Sequence, residues 1–183
     1  MWIFSLLISV FADFLIRRRI LNVTWVRKLA TFIAHGGQGI CLFCLSFVEC
    51  NRSWTVTLLF ISITLQGGVY AGWQINHIDI APNFAGTLFG ITNGLSSIPA
   101  WIAPIVVGTL TNKNETFDSW RKVFFIAGGI FIFDAIFFLI FGSGEVQDWN
   151  FYEEKKSETD EDVKAKSEDI LTLEIVPDKT SRL

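Results

Sequence analysis

Apolar residues run in long blocks along the chain, at approximately 1–16, 29–48, 54–75, 84–110 and 123–142, and polar residues collect between them. The last four blocks are long enough for a helix to cross a hydrocarbon core, which takes about 20 residues. None shows the two-residue alternation of a barrel strand, and backbone amides in lipid must find partners internally. The pattern therefore predicts an all-α, multi-pass integral membrane protein with five helices. The first block, MWIFSLLISVFADFLI, is short for a span. Arg17, Arg18 and Arg19 follow it, the reverse of the order in a secretory leader. We expect a helix clipped at its start, and with it a chain that is a fragment.

Charge changes this picture only at the end. Residues 149–183 hold ten acids and six bases, so the formal net charge of −3 comes from the tail. That composition predicts a disordered, acidic cytoplasmic tail over 149–183, after a helix bundle over 1–148. The last residues, Thr180-Ser181-Arg182-Leu183, resemble a carboxylate-capture ligand and a peroxisomal address, and chance accounts for matches this short. Cys41, Cys44 and Cys50 make an odd count. Cys41 and Cys44 lie within an apolar span with no second ligand pair, which reads as packing and not as a metal site.

The basic loop 17–28, with Arg17, Arg18, Arg19, Arg27 and Lys28, sets the orientation, because positive loops near span ends stay cytoplasmic. Alternation then places 49–53 and 111–122 outside, and 76–83 and the tail inside. Lys113, Arg121 and Lys122 count against this scheme but are fewer. The sequon Asn114-Glu115-Thr116 falls outside, where glycosylation is possible, while Asn22-Val23-Thr24 falls inside and is expected to be silent. Asn51-Arg52-Ser53 lies too near the membrane to be a good acceptor.

The spans carry more polarity than an anchor needs. The second has His35, Gly36, Gly37, Gln38 and Gly39; the third has Gln66, Gly67, Gly68, Tyr70, Gly72 and Gln74. In the fourth, Gly86, Gly90 and Gly94 recur every four residues on nearly one helical face, which predicts close approach of a neighbouring helix. Pro99 and Pro104 each remove a backbone donor and are expected to weaken that helix. Asn93 sits one residue off the glycine face. Broken, small-residue helices with buried amides are what transporters build around a central cavity. Asp13 stands four residues before Arg17, a spacing that suits an ion pair. Asp134, in IFIFDAIFFL, lies deep in the last span, where an ionised acid costs roughly 2.5–3.5 kcal/mol. Its Phe- and Ile-rich surroundings favour a protonated or helix-paired acid over a transport residue.

Together these stretches resemble a known family. GGVYAGWQINHIDIAPNFAGTLFGITNGLSSIPAWIAPIVVG, then WRKVFFIAGGIF and FGSGEVQDWN, look like the C-terminal half of the anion–cation symporters, solute carrier family 17. That family, within the major facilitator superfamily, holds sialin, the vesicular glutamate transporters and the inorganic phosphate cotransporters of insects. ADFLIRRRILNVTWVRK similarly resembles the cytoplasmic loop between helices eight and nine of the twelve-helix fold. The five blocks then correspond to helices eight to twelve, and the N-terminal half becomes a missing partner.

The resemblance implies secondary active symport of a small anion of the phosphate, sialic acid or glutamate class, coupled to Na⁺ or H⁺, by alternating access. It also implies a plasma, lysosomal or vesicular membrane. It assigns substrate hydrogen bonding to Asn93 and a cavity-facing position to Tyr70. Asn76, His77 and Asp79 match the family's NHxDIAP, and His77 with Asp79 would form a latch at the inner gate. His35 is a weaker candidate. A truncated isoform that acts as an interaction or regulatory membrane protein is the alternative. No nucleophile–base–acid set, metal-ligand cluster or phosphate loop points to an enzyme, a cofactor or a nucleic-acid partner.

Overall fold

The computed structural model describes residues 1–48, 51–112 and 116–152, with Val163 and Lys166. Asn114 and most of the acidic tail, for which glycosylation and disorder are expected, lie outside the described residues. The chain divides into two units, Met1–Val146 and Gln147–Leu183. In the second, the described element is a single 3₁₀ turn, Asp148–Phe151.

The first unit is helical throughout. Helix α1 is Trp2–Arg17. Four segments long and apolar enough to cross a membrane follow: α2 (Val23–Leu45), α3 (Arg52–Ile80), α4 (Pro82–Thr111) and α5 (Phe117–Phe141). These are the four apolar blocks of sufficient length, and α1 is the short one.

Two of the spans are irregular. α2 widens into a π-helical turn at Phe32–Gly36, which carries His35. α3 is α-helical from Arg52 to Leu65, tightens to a 3₁₀ helix over Gln66–Ala71, turns, and resumes as a short helix Asn76–Ile80. The break falls on Gly67, Gly68 and Gly72, where the backbone runs against its neighbours. A Cβ on Gly67 would lie 2.9 Å from the Met1 carbonyl oxygen, and one on Gly72 would lie 2.9 Å from the Thr31 amide nitrogen. Helices α1 and α2 thus lie directly on this segment, and glycine is what permits it. Thr31, fully buried, accepts a 2.9 Å hydrogen bond from the Trp73 amide and so satisfies a donor freed by the break.

α4 keeps its helical form past the two prolines expected to weaken it. It is continuous from Ala85 to Thr111 with Pro99 and Pro104 inside it. Pro82 opens the 3₁₀ turn Pro82–Phe84 just before it, a position that needs no amide donor. Between Ile80 and Pro82, Ala81 leaves the helical region, at φ −154° and ψ 81°.

The glycine face of α4 also departs from expectation. A Cβ on Gly86, Gly90 or Gly94 would meet nothing within 4 Å, and α4 buries no residue. A close contact forms between two other spans, α2 and α5. A Cβ on Gly39 would sit 3.0 Å from the Gly128 carbonyl oxygen, and one on Gly128 would sit 3.2 Å from the Gly39 carbonyl oxygen. One glycine on each helix, not a stripe on one, brings the two backbones together. Gly90→Ala should therefore leave the stability of this chain within about 0.5 kcal/mol of the parent in detergent denaturation. Gly128→Leu should lower it by about 1–3 kcal/mol, because the added side chain has no space.

Loops that alternation assigns to one side do meet. The Asn76 amide donates to the Ser143 carbonyl at 2.9 Å, and the Gly144 amide to the Thr24 hydroxyl at 3.0 Å. The start of α2, the end of α3 and the chain after α5 therefore share one end of the bundle. At the opposite end Arg121 lies over the Phe47 ring, 5.6 Å from its centroid. Asp13 and Arg17 are not among the ion pairs of the described residues. Arg18 instead lies over Phe14, 5.7 Å from the ring centroid.

Candidate solute cleft and inner gate

The end of α3 and the start of α4 enclose an open cleft of about 370 Å³, lined by Tyr70, Gln74, Ile75, His77, Ile78, Ala85, Gly86 and Phe89. Its shape follows from the break in α3. The 3₁₀ segment swings Tyr70 out, half-exposed, while the short helix after the turn presents His77 to α4. His77 Nδ1 lies 3.1 Å from the Gln74 carbonyl oxygen, and Nε2 lies 3.1 Å from the Thr92 hydroxyl. The carbonyl accepts only, so Nδ1 carries a proton. The Thr92 hydroxyl can donate to Nε2, or donate to the Leu88 carbonyl at 3.0 Å and accept from a protonated Nε2. The contact between α3 and α4 therefore survives either charge state of His77.

The cleft unites Tyr70, His77 and Gly86 and leaves out Asn93. Asn93 is exposed on α4, next to Thr92, and its carbonyl accepts the Ser96 and Ser97 hydroxyls at 2.9 and 3.0 Å. Gly90 and Gly94 lie along the same bare helix.

The expected latch between His77 and Asp79 is not formed. Successive positions on a helix diverge by about 100°, and Asp79 turns away to Arg27 near the start of α2. Arg27 Nε donates to Asp79 Oδ2 at 2.6 Å and Nη2 to Oδ1 at 3.3 Å, a bidentate pair. Its Nη1 donates to the Ala71 carbonyl at 3.1 Å, beside the break in α3. The two side chains are only 9% and 17% exposed. A planar guanidinium meets the carboxylate with two parallel bonds and keeps a third donor for the carbonyl, a fixed fork that a lysine ammonium does not have. Sequence reasoning counted Arg27 only as a topogenic charge. Nothing local marks a partner 52 residues away.

A second pair was missed in the same way. His35 Nδ1, on the π turn of α2, contacts Asp134 Oδ2 in α5. The helix-paired reading of Asp134 is the one realised, and its partner is the histidine ranked weaker. Asn76, the third gate candidate, is buried and is held by Ser143 after α5.

No family model matches the chain. It is 41% identical over 152 residues to a "Putative inorganic phosphate cotransporter" of Drosophila melanogaster, covering 82% of this chain and 29% of that protein. It is 43% identical over 148 residues to sialin of Ovis aries, 81% of this chain and 30% of that protein. It is 36% identical over 172 residues to vesicular glutamate transporter 3 of Danio rerio, 94% and 28%. The chain thus spans about three tenths of the length of the curated relatives it matches. The matches extend over four-fifths or more of its length, including the broken span and both sides of the cleft, and they agree with the all-helical, multi-pass architecture. This chain belongs to the anion–cation symporter family, solute carrier family 17.

Proposed function

We propose that the chain supplies part of the translocation pathway of a secondary active transporter for a small anion of the phosphate, sialic acid or glutamate class. Na⁺ or H⁺ drives it, and an N-terminal helix bundle completes the pathway. The observation that carries this reading is the cleft between α3 and α4, continuous with an α4 that buries no residue. A span that buries no residue, with Gly86, Gly90, Asn93 and Gly94 exposed along it, has the character of one wall of a larger cavity.

In this reading Tyr70 and Asn93 hydrogen-bond the anion's oxygens. Arg27 and Asp79, with Asn76 and His77 beside them, hold the inner gate. The pair ties α2 to the end of α3. Opening the pathway toward that end requires the pair to part while water enters to solvate both charges.

The reading is tested by co-expressing the chain with the N-terminal half of a sialin or phosphate cotransporter. Ion-gradient-driven uptake of labelled phosphate, sialate and glutamate is then measured in proteoliposomes. Uptake of one of the three is expected only when both halves are present. Asn93→Ala should reduce it about tenfold, the scale of one lost hydrogen bond to a charged oxygen. Absence of uptake for all three, with both halves inserted and associated, would sink the proposal.

A further inference from the structure

The gate and the cleft leave unexplained why α5, otherwise a run of Phe and Ile, carries Asp134. We propose that His35 and Asp134 form a proton-exchanging site within the membrane-spanning region, reached by water through a cavity between α3 and α5.

Four observations converge on this. First, the pair joins two spans 99 residues apart, through His35 Nδ1 and Asp134 Oδ2. A neutral imidazole and a carboxylic acid, or an imidazolium and a carboxylate, both fill this contact, and the two forms differ only in where one proton resides. Second, His35 sits on a π-helical turn, whose hydrogen bonds span one residue more than those of an α-helix. Such turns interrupt regular packing, and this one is placed where the ring meets α5.

Third, the two partners differ in exposure, 13% for the His35 side chain and 49% for Asp134. The carboxylate opens onto a cavity of about 250 Å³ lined by Trp73, Asn76, His77, Ile80, Phe137 and Phe138. Fourth, that cavity has unsatisfied polar atoms. Trp73 Nε1 and Asn76 Oδ1 are buried and have no hydrogen-bond partner among the described residues, and Asn76 is only 8% exposed. The two atoms sit on residues of a cavity whose wall is otherwise mostly apolar, beside the Asp134 carboxylate. Asn76 also bonds to the chain just after α5, so the cavity lies toward that end of the bundle.

Few other charges compete. On α3, His77 lines the same cavity, and the Trp73 ring lies between the histidines, 6.4 Å from His35 and 6.2 Å from His77 by centroids. Asp79 is taken by Arg27 of α2, and Lys28 reaches the Ile140 carbonyl at 3.5 Å. Cys41 lies six residues beyond His35 on α2. On α5, Asp118, Arg121 and Lys122 are three or more turns toward the opposite end. α4 carries no ionisable side chain from Pro82 to Thr111, and Asp13 of α1 is exposed away from the pair.

The site does not depend on the transport reading, because proton exchange can be read without solute. The chain has only two histidines, so ring-¹⁵N labelling gives two assignable sets of resonances. The full chain is titrated in lipid nanodiscs from about pH 5 to 8, with His77→Gln used to assign the spectrum. The His35 ring nitrogens should change protonation in that window. Asp134→Asn should change how those resonances respond to pH. The His77 resonances, held by Gln74 and Thr92, report whether the variant is folded. If His35 does not titrate in the parent chain, the proposal fails without recourse to any variant. If His35 titrates identically in folded Asp134→Asn, the site is a lone histidine and the pair is refuted. Uptake that fails while both ¹⁵N results hold would remove the transport reading and leave this one standing.

Discussion

Arg27→Ala is expected to lower stability by about 3–5 kcal/mol, the cost of leaving a buried charge without its counter-ion. The magnitude follows from the surroundings of the pair. Arg27 makes three hydrogen bonds, two to Asp79 and one to the Ala71 carbonyl, with its side chain 9% exposed. Removing it strands the Asp79 carboxylate and a carbonyl beside the break in α3. Asp79→Asn should cost less, because Arg27 keeps Ala71 and an amide oxygen still accepts one of its bonds. Arg27→Lys should recover only part of the loss, since one ammonium cannot reproduce the bidentate geometry. Reversible SDS denaturation followed by far-UV circular dichroism gives these differences. Equal stability of parent and Arg27→Ala would mean that the pair does not hold α2 to α3.

Gly72→Ala is the second large effect, at about 3 kcal/mol in the same assay. Its new methyl would stand 2.4 Å from the Thr31 hydroxyl oxygen, 2.9 Å from the Thr31 amide nitrogen and 3.2 Å from its Cα. Two of those three atoms are backbone, so no rotamer change relieves the contact. Forcing the segments apart costs about 1–3 kcal/mol as overpacking. It also stretches the Trp73 amide bond to Thr31, which leaves a buried donor unmet. Gly90→Ala is the internal comparison, because the same chemical change there meets open space. If the two substitutions change stability equally, the contact with Thr31 is not what Gly72 is needed for.

The spans and their pairing at one end were legible in the sequence because lipid imposes a simple condition. A backbone without water must pair within its own helix, and runs of Phe, Ile, Leu and Val mark where that happens. Alternation then groups the loops, and the bonds of Asn76 to Ser143 and Gly144 to Thr24 agree with the grouping. The break in α3 was legible too, from Gln66, Gly67, Gly68 and Gly72.

Partners were not legible. Asp79 was read with its near neighbour His77, yet its counter-ion comes from another helix. His35 and Asp134 were weighed separately and judged by the company each keeps in the chain. Periodicity tells which face of a helix a side chain occupies but not which helix will lie against it. The glycines make the same point in reverse. The regular stripe Gly86, Gly90, Gly94 attracted the packing argument, while single glycines, Gly39 and Gly128, form the contact. A smooth face permits approach. It does not supply the neighbour.

The hydrogen bond from the Trp73 amide to Thr31 also bears on biosynthesis. A span that enters the bilayer alone has every reason to stay a regular helix, since a break would leave a donor unmet in hydrocarbon. α3 can adopt its kinked form only once α2, which leaves the ribosome earlier, stands beside it with Thr31 in reach. The irregular form of α3 and its packing against α2 are therefore coupled: each holds the other in place through Thr31.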